Sequence, residues 1–346
     1  MTKTMQIEDL LKALEADAAA GKSGASGWLL RLAQPSAGCP LFVGLELESR
    51  RRAVLLRLPS ASVPTRRHWP RCKGLEPLTV AVGGNAHFGV ALKEPRFADV
   101  FTALAEDLVR RVADAGDPAA QTRAFIGQLA RWQKFLSASF DGLSQEAQRG
   151  LWGELHFLRE HLLPIIGATA VNNWKGGERA HQDFQFESSA VEVKTTLAKQ
   201  PQVVRITSER QLDDSACESL FLNVIALDMR DGSGETLPEM VASLRAKLAA
   251  DTAAREQFED ELLAIGYLDA HAVRYADRGY TVRTVGFFRV GSKFPSLVEA
   301  DMPAGVGDAS YALSVAACEP FRVKSDAVKA ALVASPRLNF KRKKRA

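Results

Sequence analysis

The stretch from His181 to Thr196 constrains this chain more than any other: His-Gln-Asp-Phe-Gln-Phe-Glu-Ser-Ser-Ala-Val-Glu-Val-Lys-Thr-Thr. Side chains at i and i+2 of a strand share a face. Glu192, Lys194 and Thr196 therefore point one way, and Val191, Val193 and Thr195 the other. On the preceding strand Asp183 and Gln185 alternate with Phe184 and Phe186. Two short strands joined by a tight turn bury the aliphatic and aromatic sets. They leave two carboxylates and an ammonium converging at one edge.

Those residue types suit a metal-and-water site. Mg²⁺ takes oxygen ligands in near-octahedral geometry and keeps several waters, so one or two carboxylates plus a substrate phosphate suffice. Asp183 and Glu192 supply such a pair, with the Val193 carbonyl as a third oxygen. Such an ion lowers the pKa of a bound water and neutralises charge on a phosphoryl oxygen. Lys194 is placed to hold the attacking water or stabilise that charge as a point cation. The spacing alone equally describes a solvated strand face carrying a weak ion pair. The neighbouring segments decide between the two.

Upstream, Leu151, Leu155, Leu158 and Leu162 recur at helical spacing within Leu143–Leu163, which predicts an amphipathic helix with Glu154 at the margin of its apolar stripe. A lone helical Glu ordinarily faces water. Downstream, Val203–Thr207 reads as a third strand, and Ser208-Glu209-Arg210-Gln211 has the capping-box form that opens a helix. Leu220–Leu227 is an apolar run of the kind found in a fully buried strand. The expected order is helix, three strands, helix, strand, with the acidic edge where the second and third strands diverge.

Glu154…Asp183…Glu192-Val193-Lys194…Gln211 in that order resembles the PD-(D/E)XK nuclease superfamily. The blocks Trp174-Lys175-Gly176-Gly177, Glu192-Val193-Lys194-Thr195-Thr196 and Ile206 to Asp213 are more specific. They resemble a bacterial family of PD-(D/E)XK motif proteins associated with restriction and phage-defence gene clusters, over most of the chain. The resemblance implies an α/β fold: a restriction-endonuclease-like αβββαβ core with an N-terminal β-rich domain and a C-terminal α+β extension. It implies that Asp183 and Glu192 ligate Mg²⁺, with Mn²⁺ as a substitute. Lys194 orients water or stabilises charge, Glu154 reaches the metal through water, and Gln211 sits near the active site. The motif's proline is absent, Gln182 standing before Asp183. Gln211 is also accounted for by its capping role alone.

The implied activity is Mg²⁺-dependent endonucleolytic cleavage of double-stranded DNA in a restriction-type defence system. Methyltransferase or helicase subunits of such a system, and a second copy of the chain, are the partners to expect. The alternative is a noncatalytic nucleic-acid-binding or assembly subunit that retains the fold. An RNA target is weaker, since nothing resembles an RNA-recognition motif.

Four further arginines are candidates for phosphate contact. Arg205 lies in the third strand and Arg210 just beyond it, and the competing role is an ion pair with Glu209 or Asp213. Arg66 and Arg67 belong to the cluster Arg66-Arg67-His68-Trp69-Pro70-Arg71-Cys72-Lys73, which interleaves an aromatic with bases. The formal charge of +4 over 346 residues resides in the tail: without Lys341–Arg345, 40 basic residues face 41 acidic ones. Such a tail adds salt-sensitive attraction to phosphate or merely solubilises the terminus. Trp174 is placed to stack on a base or, more in keeping with its neighbours, to cap the sheet.

Other classes are disfavoured. No apolar run approaches the roughly eighteen residues of a membrane span, and no signal-peptide pattern opens the chain, so a cytoplasmic protein is expected. Cys39, Cys72, Cys217 and Cys318 lack zinc-ribbon spacing. No glycine cluster has the setting of a nucleotide-binding loop, which argues against ATP use. Residues 1–140 read as the β-rich domain with two linking helices, 141–300 as the nuclease-like core, and 301–346 as the extension with its basic tail. Strands are expected at Phe42–Leu47, Ala53–Leu58, Leu78–Val82, His87–Leu92, Tyr280–Val290 and Tyr311–Ala317. Helices are expected at Phe97–Ala113, Ala119–Ser137, Leu237–Ala249 and Ala253–Ile265.

Overall fold

A computed structural model describes residues 6–34, 39–59, 74–138, 142–176 and 180–334. Arg66, Arg67 and the basic tail lie outside them. The fold is mixed α/β and divides into two compact units, residues 1–141 with 268–270, and 142–267 with 271–346.

The first unit opens with α1 (Ile7–Ala19), whose Ile7, Leu10, Leu11, Leu14 and Ala18 form one buried stripe. Five antiparallel strands follow: β1 (Trp28–Leu32), β2 (Leu41–Glu46), β3 (Arg52–Leu58), β4 (Leu75–Val82) and β5 (Asn85–Leu92), in spatial order β1-β2-β3-β5-β4. Helices α2 (Ala98–Ala113) and α3 (Pro118–Ala138) complete it. The four expected strands and two helices are present, and β1 is an addition. Buried Asp107 on α2 ties the two helices together. Arg110 Nη2 donates to one carboxylate oxygen at 2.7 Å, while Trp132 Nε1, at 2.8 Å, and the Gln128 amide donate to the other.

The second unit begins with α4 (Gln145–Phe157), where the Ser144 hydroxyl accepts from Ala147 N–H as a side-chain N-cap. The expected single helix to Leu163 instead widens into a π turn at Leu158–Leu162, followed by the short α5 (Leu163–Ile166) and a 3₁₀ segment at Gly167–Asn173. Then come β6 (Phe184–Gln185), β7 (Ser189–Thr196), β8 (Val203–Ile206), β9 (Ser219–Asp231) and β10 (Glu235–Thr236). They are followed by α6 (Leu237–Lys247), α7 (Thr252–Ile265), α8 (Ala272–Tyr275) and β11 (Arg278–Val290). The described chain closes with β12 (Tyr311–Ser314), α9 (Val315–Cys318), β13 (Arg322–Val323) and α10 (Ser325–Ala334).

The main sheet runs β10-β11-β9-β7-β6, with β13 on β11. Its central strand β9 is buried from Leu220 to Leu227, as that apolar run requires, and pairs in parallel with β7. One face packs Val191, Val193, Phe221 and Ile225 against Leu151, Trp152 and Leu155 of α4. The other packs Ala190, Leu220, Leu222 and Val224 against Val204, Ile206 and Leu313.

Three expectations need correction here. The third strand, β8, leaves the main sheet and pairs antiparallel with β12. The helix expected from Ser208 is a single 3₁₀ turn, Glu209–Leu212. The capping box fails because Ser208 Oγ accepts from Arg210 N–H, while the Gln211 carboxamide oxygen accepts from Thr207 rather than from Ser208 N–H. Finally, Tyr311–Ala317 is strand only to Ser314 and helical beyond.

Candidate active site

The β6–β7 hairpin sets the geometry. Phe184 pairs with Val191 and Gln185 with Ala190, so one further step of the same register puts Asp183 opposite Glu192. The strand β6 stops short of that step. The N–H of Val193 therefore lacks a strand partner on this edge, and Asp183 Oδ2 accepts it at 2.7 Å. An edge amide that would otherwise be orphaned fixes the aspartate.

Beside it, Glu192 is only 1% exposed, and its carboxylate has no hydrogen bond of good geometry among the described residues. Its close partners are Lys194 Nζ, 2.7 Å from Oε1, and the backbone N–H of Asp183. Burial and then the charge of Asp183 push the Glu192 carboxyl up to about 8, with Lys194 and the Asp183 amide offsetting part of the rise. Burial raises Asp183 as well, against the pull of Lys194 and the Val193 amide. Burial by itself would depress Lys194, but Glu192, Asp183 and Glu154 together raise it, so the ammonium stays charged.

Lys194 is aimed by Gln211. The Gln211 Oε1 accepts from Lys194 Nζ at 3.2 Å, from Thr207 N–H at 2.9 Å and from the Thr207 hydroxyl at 3.1 Å. Nearby, Gln182 donates to the Arg210 carbonyl at 2.9 Å, linking the 3₁₀ turn to the chain just before Asp183. Buried Glu209 accepts from Ala309 N–H at 2.9 Å, which makes it a fastener of the 308–309 loop.

From the other face of β7, α4 brings Glu154. Its Oε2 accepts from the indole N–H of Trp174 at 2.8 Å. Burial first, then Asp183, raise its carboxyl well above the usual range. Two glycines make that approach feasible. At Gly153 a methyl would overlap the Thr195 Cγ2 methyl, so α4 can lie this close to β7 only with glycine there. At Gly176 a Cβ would come within 2.6 Å of Glu154 Oε2. Trp174 itself is fully buried against Phe258, which removes it from base stacking.

These groups open into a cleft of about 440 Å³ whose lining includes Glu154, Asp183, Lys194, Gln211 and Arg205. Glu192 lies beneath it, next to Lys194. Arg210 is not among the lining residues and pairs with Glu209 and Glu299 instead. Sequence reasoning missed Glu146, Arg149 and Gly150, which also line the cleft. Their signal was present: 146, 149, 150 and 154 follow the i, i+3, i+4, i+8 rule of one helix face.

Among the described residues no three of His, Cys, Asp or Glu form a ready-made metal cage. The donor set nevertheless fits a hard divalent cation that keeps its waters. Three carboxyl groups share one ammonium, and the two oxygens of Glu192 are buried without hydrogen bonds of good geometry among the described residues. A cation beside Asp183 and Glu192 would supply the charge this arrangement lacks.

No curated protein and no solved structure matches the chain. A family model, described as "Putative PD-(D/E)XK family member, (DUF4420)", matches residues 7–316. That span reaches into both units and includes every residue of the cleft, and the chain belongs to this family.

Proposed function

We propose that this protein is a divalent-metal-dependent nuclease that hydrolyses phosphodiester bonds of double-stranded DNA. A nuclease-like function follows from the family, and the observation that carries the finer reading is Glu192. It is an acid buried without a hydrogen bond of good geometry, between a second acid and a lysine held charged. On this reading Asp183 and Glu192 hold Mg²⁺ or Mn²⁺, and Glu154 adds a carboxylate reached through water. When bound, the ion supplies a Lewis acid for water and for the phosphoryl oxygens.

The chain's own residues do the rest. Lys194, oriented by Gln211 and Glu192, directs its ammonium at the phosphoryl oxygen where negative charge grows. Asp183 is prevented from turning away by the Val193 amide. The hairpin β6–β7, flanked by α4 and followed by β8, supports a diverged PD-(D/E)XK core in which the third strand has moved onto β12. The N-terminal β-rich unit is then the part that handles DNA or a partner, in keeping with a restriction or phage-defence role.

The test is plasmid cleavage in Mg²⁺ or Mn²⁺ against chelator, with wild type beside Lys194→Ala. Nicking or linearisation confined to metal-loaded wild type is the expected result. Metal-independent cutting, or a fully active Lys194→Ala, contradicts the assignment. DNA binding without cleavage under any of these metals favours the noncatalytic subunit.

A further inference from the structure

We infer that Arg149 and Arg205 form a phosphate clamp, two guanidinium groups that hold the backbone phosphates flanking the bond to be cut. The inference rests on the reading of the cleft as a nuclease site and adds the residues that grip its substrate. Arg149 projects from α4, on one side of β7, and Arg205 from β8, on the other, and both line the cleft that holds Glu154, Asp183 and Lys194.

Position together with pairing sets them apart: Arg289 too lacks an ion pair among the described residues, but only these two arginines line the cleft. Elsewhere in this unit Arg159, Arg210, Arg245, Arg283 and Arg322 each sit on a carboxylate. Neither Arg149 nor Arg205 makes an ion pair among the described residues. Arg149 has Glu146 one turn away on its own helix, yet donates only to the Thr195 hydroxyl, at 3.3 Å. An arginine without a carboxylate at the mouth of an acidic cleft keeps its planar fork free for another anion, and phosphate matches that fork.

Electrostatics demands such groups. Each of the three acids repels a polyanion once it is ionised, and a single ammonium faces all three. A bound divalent ion offsets that at the centre, but the neighbouring phosphates still need cations on the rim. Gly150 fits the same picture. A mid-helix glycine costs about 1 kcal/mol relative to alanine. At Gly150 nothing lies within 4 Å of where a Cβ would stand, so packing does not require glycine. It leaves the turn of α4 between Arg149 and Glu154 bare, where a nucleic-acid strand can come close.

The experiment is equilibrium binding of a short DNA duplex by fluorescence anisotropy, in chelator and in Ca²⁺, across a salt series. Wild type is compared with Arg149→Ala, Arg149→Lys, Arg205→Ala and, as a control outside the cleft, Arg289→Ala. Each alanine in the clamp is expected to weaken binding irrespective of sequence. Each should also reduce the slope of log K against log salt by about 0.9, the value for one phosphate contact. Arg149→Lys should restore the slope while recovering only part of the affinity, and Arg289→Ala should match wild type. Circular dichroism and melting confirm that each variant is folded. Wild-type slopes in both alanine variants, or no duplex binding by wild type, overturn the clamp. Cleavage is scored separately: reduced slopes without cleavage retain the clamp and sink the hydrolysis, whereas cleavage with unchanged slopes does the reverse.

Discussion

Two buried acids, one in each unit, sit in opposite circumstances. Asp107 in the first unit is surrounded by donors, with Arg110 on one oxygen and Gln128 and Trp132 on the other. Glu192 in the second unit is buried more deeply and has an ion pair but no hydrogen bond of good geometry among the described residues. A carboxylate is expensive to bury, and the cost is offset by hydrogen bonds or by a cation. Asp107 meets that requirement with three donors of its own, which is the mark of a structural acid. Glu192 has one ammonium, which also faces Asp183 and Glu154, and the contrast supports the proposal that a metal ion completes its surroundings.

The largest expected effect breaks the comparison on the functional side. Asp183→Asn and Glu192→Gln should each abolish metal-dependent cleavage. Lys194→Ala should lower the cleavage rate on the order of 10²–10³-fold, the loss typical of one electrostatic group at a reacting oxygen. Asp107→Ala should leave cleavage chemistry intact in folded protein yet destabilise the first unit by about 3 kcal/mol, because three donors lose their acceptor. Urea unfolding followed alongside a cleavage assay separates the two. If Asp107→Ala were stable and inactive, the roles assigned to the two acids would be reversed.

A second effect concerns pH. Glu192 holds its proton up to about 8 in the folded protein and releases it near 4.5 when unfolded. The folded state therefore binds more protons between those values, and stability falls as pH rises through that window. Glu192→Gln removes this contribution. In chelator the variant should be more stable than wild type at pH 8, by a margin on the order of a few kcal/mol, and indistinguishable near pH 4. Asp183 and Glu154, both raised, leave a residual slope of the same sign. Parallel melting curves at both pH values would show that burial of Glu192 carries no penalty.

The smallest effects distinguish two glycines of one helix. Gly153→Ala should destabilise by about 1–3 kcal/mol, because the methyl meets Thr195. Gly150→Ala should stabilise by up to about 1 kcal/mol, since its Cβ meets nothing within 4 Å. Thermal melts of the two variants read the difference directly. Equal destabilisation by both would mean that the bare turn serves packing rather than the cleft.

Much of the site was legible in the sequence because it is local. The alternation from Asp183 to Thr196 fixes which side chains share an edge, and the hairpin register follows from a short turn. Gln211 was legible in position but not in cause. Two roles are open for its carboxamide in the sequence, a helix cap or a place beside the active site, and contacts with Lys194 and Thr207 put it on Lys194. The displacement of β8 onto β12 was beyond reach, since its partner lies more than a hundred residues downstream and strand pairing at that distance leaves no local pattern. Arg149 was missed for a different reason: the helix was read for its apolar stripe, and its polar face was not traced. The strands and helices of the first unit were readable from alternation and periodicity, whereas two of the three donors to Asp107, Gln128 and Trp132, come from a second helix that no spacing announces.

Binding of Mn²⁺ tests the central claim most directly. Calorimetric titration of wild type, Glu192→Gln and Asp107→Asn at pH 8 should give binding in wild type and Asp107→Asn and its loss in Glu192→Gln. Equal binding by Glu192→Gln, or none by wild type, would contradict the view that this buried acid is completed by a metal ion.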